Sequence, residues 1–283
     1  MGKRATGQAG VLGGYASRPG YTLLDRRWYL PEAWLTDAAF AERRLACGIP
    51  AETSVRTKPA LALEMLQAVV RDGQRRGRWV TADEACGRDT VFVEGVAAWG
   101  RWSCAEVPHD TSVWLERPAT GVPEWMGRGR KPSQPRLAAA APTAQTVAAI
   151  AAPLPPATWQ PHLIQAGSQG PLLADLACLR VVAVRDSWPG PDVWRILRRH
   201  PETGALKTER STAAVDTQVA TLARISGMRW PIATCVEDRT PWLGMGDDDV
   251  RSWTGWHHHL TWVWLAHVFG VRTRLNMKKT PRP

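Results

Sequence analysis

The sequence predicts an α/β core interrupted by a β-rich insertion, and three observations carry that reading. Two apolar runs meet at an Arg-Pro-Gly turn near the start of the chain. A helix-periodic segment follows and leads at once into a short strand ending at an acid. The middle of the chain then turns rich in Pro and Ala before two further strand-like runs appear.

Taken in order, "VLGGYASRPGYTLLDRRWYL" (11–30) reads as a hairpin, with Pro19-Gly20 supplying the turn. "KPALALEMLQAVVRDG" reads as a helix over 59–71. Pro59 suits its first turn, Asp72-Gly73 its stop, and Leu61, Met65, Leu66, Val69 and Val70 form the buried stripe. Trp79, Val80 and Thr81 read as the end of a buried strand, with Asp83 and Glu84 in a loop closed by Gly87. These elements make residues 1–110 the first part of the core.

Residues 111–215 form the second region. Its first stretch, "RGRKPSQPRLAAAAPTAQTVAAIAAPLPPATWQP", reads as an extended connection with one short helix at 143–152. "ADLACLRVVAVRD" and "DVWRILRRH" read as strands, with "PETG" as a turn. Residues 216–283 are the third region, helical in "DTQVATLARISGMRW" and "SWTGWHHHLTWVWLAHVFGVRTRL". The region closes on a basic tail, "RTRLNMKKTPRP", expected to fray or to touch phosphate.

Composition narrows the function. A formal charge of +10 and a pI near 10.0 are the electrostatic footprint of a nucleic-acid binder, set against the plainer reading of a solvated basic surface. The cations cluster at Arg71, Arg75, Arg76 and Arg78, at Arg128, Arg130 and Lys131, and at Arg272, Arg274, Lys278 and Lys279. Cys47, Cys86, Cys104, Cys178 and Cys235 are scattered and form no CxxC pair, which argues against a zinc site or a disulfide framework and fits a reducing cytoplasm. The start of the chain lacks the apolar run of a secretory signal, and "LTWVWLAHVFGV" is too short to span a bilayer.

Two motifs invite metal chemistry. In "HHH" (257–259), neighbouring helical residues point about 100° apart and cannot share one ion, so a structural role is expected. Trp253 and Trp256, near Arg251, could stack on bases, but core positions are the commoner use of tryptophan. Asp83 at a strand end is a better candidate, because two-metal phosphoryl transfer gathers acids from separate elements around ions about 4 Å apart.

Five blocks then resemble a known family: "DRRWYLPEAW" (25–34), "TKPALALEML" (57–66), "WVTADEACGRD" (79–89), "ISGMRWPI" (225–232) and "VRSWTGWHHHLT" (250–261). Together they resemble bacterial insertion-sequence transposases of the DDE superfamily, in the branch with a Tyr-x2-Arg-x3-Glu-x6-Lys signature. The resemblance implies an RNase H-like core, a mixed sheet with flanking helices, and Mg²⁺-dependent cutting and transfer of DNA ends. It makes the helix at 59–71 the crossover into the strand of the second catalytic acid, which matches Asp83. The signature Arg matches Arg229, followed by Trp230.

Elsewhere the chain departs from the pattern. Ala233 stands where the catalytic Glu is expected, Ser226 where the Tyr is and Thr240 where the Lys is. Glu237 lies on the same helical face, but in the family that position is commonly acidic alongside the Glu, so it is not an obvious replacement. The first catalytic Asp belongs on a strand before the hairpin, which the chain is expected to lack, together with the DNA-end-binding region. Asp83 is then a vestigial ligand, Mg²⁺ is not held productively, and the exposed sheet edge favours self-association. The expectation is an inactive, truncated transposase that still binds DNA in a bacterial cytoplasm. The alternatives are a retained non-catalytic DNA-binding or regulatory protein, and one part of a split gene.

Overall fold

The computed structural model describes residues 9–17, 20–73, 77–167, 170–229 and 250–279. They divide between two units, one drawn from residues 1–76 and 227–283 and the other from residues 77–226.

In the first unit, strands β1 (Ala9–Ser17) and β2 (Gly20–Tyr29) pair antiparallel, from Ala9 opposite Tyr29 to Ser17 opposite Gly20. The hairpin read from the sequence is therefore present. Helices α1 (Glu32–Thr36) and α2 (Ala41–Ala46) follow, and then α3 (Lys58–Arg71). Thr57 caps α3 by accepting from the Ala60 N–H at 3.2 Å, and Leu61 and Met65 are its buried residues. A long helix of the same unit, α8 (Trp253–Lys279), covers β2. Leu23 packs there with Trp256, Leu260, Val263 and Trp264, and Leu12, Tyr21 and Trp28 close the cluster. Trp28 stacks on both Trp253 and Trp256, with ring centroids 5.5 and 5.1 Å apart. Arg26 ties strand to helix by donating to the His257 carbonyl at 2.9 Å.

The second unit is built on an eight-stranded mixed sheet. It uses β3 (Trp79–Ala82), β4 (Trp102–Glu106), β5 (Ser112–Trp114), β8 (Gln145–Thr146), β9 (Gln160–Gly167), β10 (Gly170–Arg185), β11 (Trp188–Arg199) and β12 (Leu206–Ser211). The order is β3-β4-β12-β11-β10-β5-β8, with β9 also on β10. β3 and β4 are parallel and the remaining pairs antiparallel. Strands β6 (Thr120–Gly121) and β7 (Arg136–Leu137) form a separate short ribbon.

Helices flank this sheet. On one face, α6 (Val147–Ala151) lays Val147 and Ile150 against Ala177, Val181, Val193 and Leu197. Helices α4 (Glu84–Arg88) and α5 (Thr90–Ala98) lie on the same face, with Phe92, Val93 and Val96 buried. On the other face sits α7 (Val219–Gly227), whose Leu222 is fully buried. A mixed sheet with flanking helices is the fold class the sequence predicts, and it is consistent with an RNase H-like nuclease.

Four readings need correction. The hairpin and β3 share no sheet among the described residues, so α3 is not a crossover within one sheet. The hairpin's apolar side chains are taken up by α8, which leaves β3 with β4 as its neighbour. The expected loop at 83–87 is helix α4, and the short helix at 143–152 is confined to Val147–Ala151. The basic tail, instead of fraying at Arg272, stays helical to Lys279. Among the described residues no helix is long and apolar enough to cross a membrane.

Candidate functional site

Asp83 stands where the sequence places it, at the carboxyl end of β3. Its extended backbone (φ −78°, ψ −179°) makes it the N-cap of α4, and its Oδ1 accepts from the Cys86 N–H at 3.2 Å. A carboxylate there satisfies a free donor and faces the positive end of the helix. Asp89 does the same for α5, accepting from the Phe92 N–H at 2.8 Å. Glu84 lies 3.6 Å from Arg88, one turn along α4. The three acids thus serve three separate local partners. Burial, with Asp83 beside it, pushes the Cys86 thiol up to about 12, so that residue stays a neutral thiol.

The position of α4 is set by Gly87. A Cβ there would lie 1.9 Å from the Glu106 carbonyl oxygen, so the helix meets β4 closer than any side chain allows. Arg210 on β12 reaches back and donates to the Gly87 carbonyl at 2.9 Å.

A magnesium ion needs several preorganised oxygens before it sheds its waters. Among the described residues no three His, Cys, Asp or Glu side chains are grouped to hold a metal. Asp83 contributes one exposed carboxylate, already engaged with the helix it caps. The described residues around Asp83 do not fit a two-metal centre.

Arg229 follows α7 and is partly buried. Trp230 and Ala233, like Glu237, lie outside the described residues. So do Arg75 and Arg76. Arg78 is exposed and lies over the Trp102 ring at 3.8 Å, an arrangement that fixes a cation at the β3 edge. Arg128, Arg130 and Lys131 are all exposed on the loop joining β6 to β7. Gly127 and Gly129 make its turns at φ +80° and +72°. Arg272 and Arg274 are exposed on α8, and Lys278 and Lys279 lie in its last turn.

The histidine run is part of the packing. The His257 ring lies 4.8 Å from Trp253 and 4.9 Å from Trp256, and burial holds its imidazole below the ordinary value, helped by Arg26 and Arg27. His258 Nε2 accepts from the Trp262 indole at 2.9 Å.

Two features escape the sequence reading. The β6–β7 loop carries Trp125 and Met126 beside its cations, 48% and 87% exposed, an aromatic and basic combination suited to nucleic acid. The other is Glu209 on β12. Ser226 donates to its Oε1 at 2.9 Å, the Cys104 thiol donates to Oε2 at 3.4 Å, and the Arg198 guanidinium is 3.7 Å away. Burial pushes its carboxyl above the ordinary range, against the pull of Arg198. Strand alternation around "KTERS" gives no sign of this, because the partners come from β4, β11 and α7.

A family model described as "DDE superfamily endonuclease" matches residues 1–171. No curated protein matches the chain.

Proposed function

The chain belongs to the DDE superfamily of endonucleases, and from that premise we propose that it is a transposase of the insertion-sequence type that grips DNA without cutting it. Endonucleases of this superfamily are generally dependent on divalent metal. The observation that carries the proposal is the capping role of Asp83: the acid matching the family's second ligand serves its own helix, and among the described residues it belongs to no group of three side chains able to hold a metal. Ala233 at the position of the catalytic Glu points the same way.

DNA as partner rests on the charge and its placement. The chain carries +10, and exposed cations sit at the β3 edge, on the β6–β7 loop and along α8. They reach phosphate and leave bases unread, so binding is driven by counterion release. With about 4–6 phosphates contacted, log affinity falls against log salt with a slope of about −4 to −5.

The test incubates the chain with duplexes ending in its own element's termini and with scrambled duplexes, in Mg²⁺ and in Mn²⁺. The expected result is salt-sensitive retention of both duplexes and no nicked or joined strand. Divalent-dependent cleavage that disappears in Asp83→Ala contradicts the proposal. A salt-insensitive preference for the termini, on the order of 10³ over random DNA, supports instead a retained regulatory protein.

A further inference from the structure

Helix α8 is apolar on two opposite faces. Its inner face carries Trp256, Leu260, Val263 and His267, all buried, with the first three packed on Leu23 and the last stacked on Tyr21. Their spacing is four, three and four residues. A step of two residues turns a helix by about 200°, so His258, Trp262, Leu265 and Phe269 repeat that spacing on the outer face. There Trp262 is 62% exposed, Leu265 54% and Phe269 74%. A helix that is apolar all round is ordinarily covered all round, and α8 is covered on one side.

The spacing indicates what kind of partner fits. Apolar residues alternating at four and three are the seam of a heptad, which meshes with another helix. The positions flanking the centre of the seam, Thr261, Ala266 and Val268, are uncharged, so a second helix meets no opposing charge there. Trp262 already donates its indole N–H to His258 at 2.9 Å. Its ring can therefore be buried with no donor left unmatched.

We propose that α8 pairs antiparallel with the α8 of a second copy of this chain, forming a two-fold dimer in the absence of DNA. Trp262 of each copy then lies against Leu265 of the other, and Phe269 against His258 of the other, a self-complementary contact. The ends commit the seam to a second copy. α8 closes on Lys278 and Lys279, and the sequence leading into it is Asp247-Asp248-Asp249. Antiparallel pairing brings the basic end of each helix to the acidic start of the other and also opposes the two helix dipoles. A parallel pair would set like charges together.

The experiment is sedimentation of the full chain, free of DNA, over a concentration series. A monomer–dimer equilibrium in the micromolar range is expected, because so short a seam falls at the low end of interface size. Trp262→Lys and Leu265→Glu, both at exposed positions, should each weaken dimerisation about a hundredfold, since every dimer then buries two unpaired charges. Mixing the two variants in equal amounts should restore a dimer, with one Lys–Glu layer and one native layer. Where either variant fails to fold, Phe269→Ser replaces it and should weaken the dimer about tenfold. A wild type that stays monomeric at every concentration overturns the proposal. A dimer that none of these variants weakens also overturns it and places the contact elsewhere, as at a sheet edge. Variants that associate no better mixed than apart contradict the antiparallel register. A monomer that binds anionic vesicles, and loses them in Trp262→Lys, gives the face to a lipid surface instead.

Discussion

Asp83 and Glu209 are the two acids on which a functional reading can turn, and they have opposite surroundings. Asp83 is exposed and bound to a backbone N–H three residues ahead. Glu209 is 4% exposed and is held by side chains from β4, β11 and α7, far away in sequence. A family motif marks the first, and nothing local marks the second. A carboxylate at a strand end is thus weak evidence for catalysis when a helix begins at the next residue, because the cap alone accounts for it. A carboxylate inside a sheet is a commitment of the whole unit, since each partner must be in place to offset its desolvation.

The contrast can be broken most strongly at Glu209. Glu209→Ala leaves Arg198 without its buried partner and should cost about 3–5 kcal/mol in urea unfolding. A loss below about 1 kcal/mol, the scale of an exposed pair, would show that the network does not operate as a buried one.

The pH dependence sharpens the same point. Burial raises the folded carboxyl of Glu209 above its ordinary 4.5, so between the unfolded and folded values the native chain holds the extra proton. The stability from this group is therefore full below about 4.5 and is lost as pH rises through the folded value. Glu209→Gln cannot titrate. The stability of wild type minus that of Glu209→Gln should fall with rising pH in that window, and a flat difference in a pH series of denaturation curves contradicts the assignment.

Next in size is Gly87→Ala. The added Cβ meets a backbone oxygen at 1.9 Å, so α4 must lift from β4. A loss of about 3 kcal/mol is expected, at the upper end of overpacking costs. An unaffected melting midpoint would mean that α4, and Asp83 with it, is not fixed against the sheet.

Much of the fold is legible because it is local. The hairpin at β1 and β2 is announced by its turn, α3 by Pro59, its apolar spacing and Asp72-Gly73, and β10 and β11 by their apolar runs and the turn that follows. The site was less legible. Helix α4 was missed because Gly87 reads as a loop residue, whereas its missing side chain serves a close approach to Glu106. The sequence does carry a signal: Asp83 directly before Glu84, an acid in the first turn, is an N-cap pattern. Arg195, Arg210 and Glu209 sit in strands, where charged residues read as a solvent face. Only the helices lying on both faces of the sheet, joined to it by long-range contacts, bury Arg195 and Glu209 and half-bury Arg210. Sequence periodicity carries no information about which distant helix covers a strand.

The central claim is that Asp83 caps a helix and does not ligate a metal, and Asp83→Asn tests it most directly. Asparagine caps a helix about as well as aspartate, whereas alanine loses about 1 kcal/mol. Asparagine also removes the anionic ligand oxygen a metal would need. Thermal unfolding of wild type, Asp83→Asn and Asp83→Ala, each with and without Mn²⁺, separates the two roles. The account predicts that Asp83→Asn melts with wild type, that Asp83→Ala melts lower, and that Mn²⁺ shifts none of the three differently. A Mn²⁺-dependent stabilisation of wild type that both variants lose would contradict it.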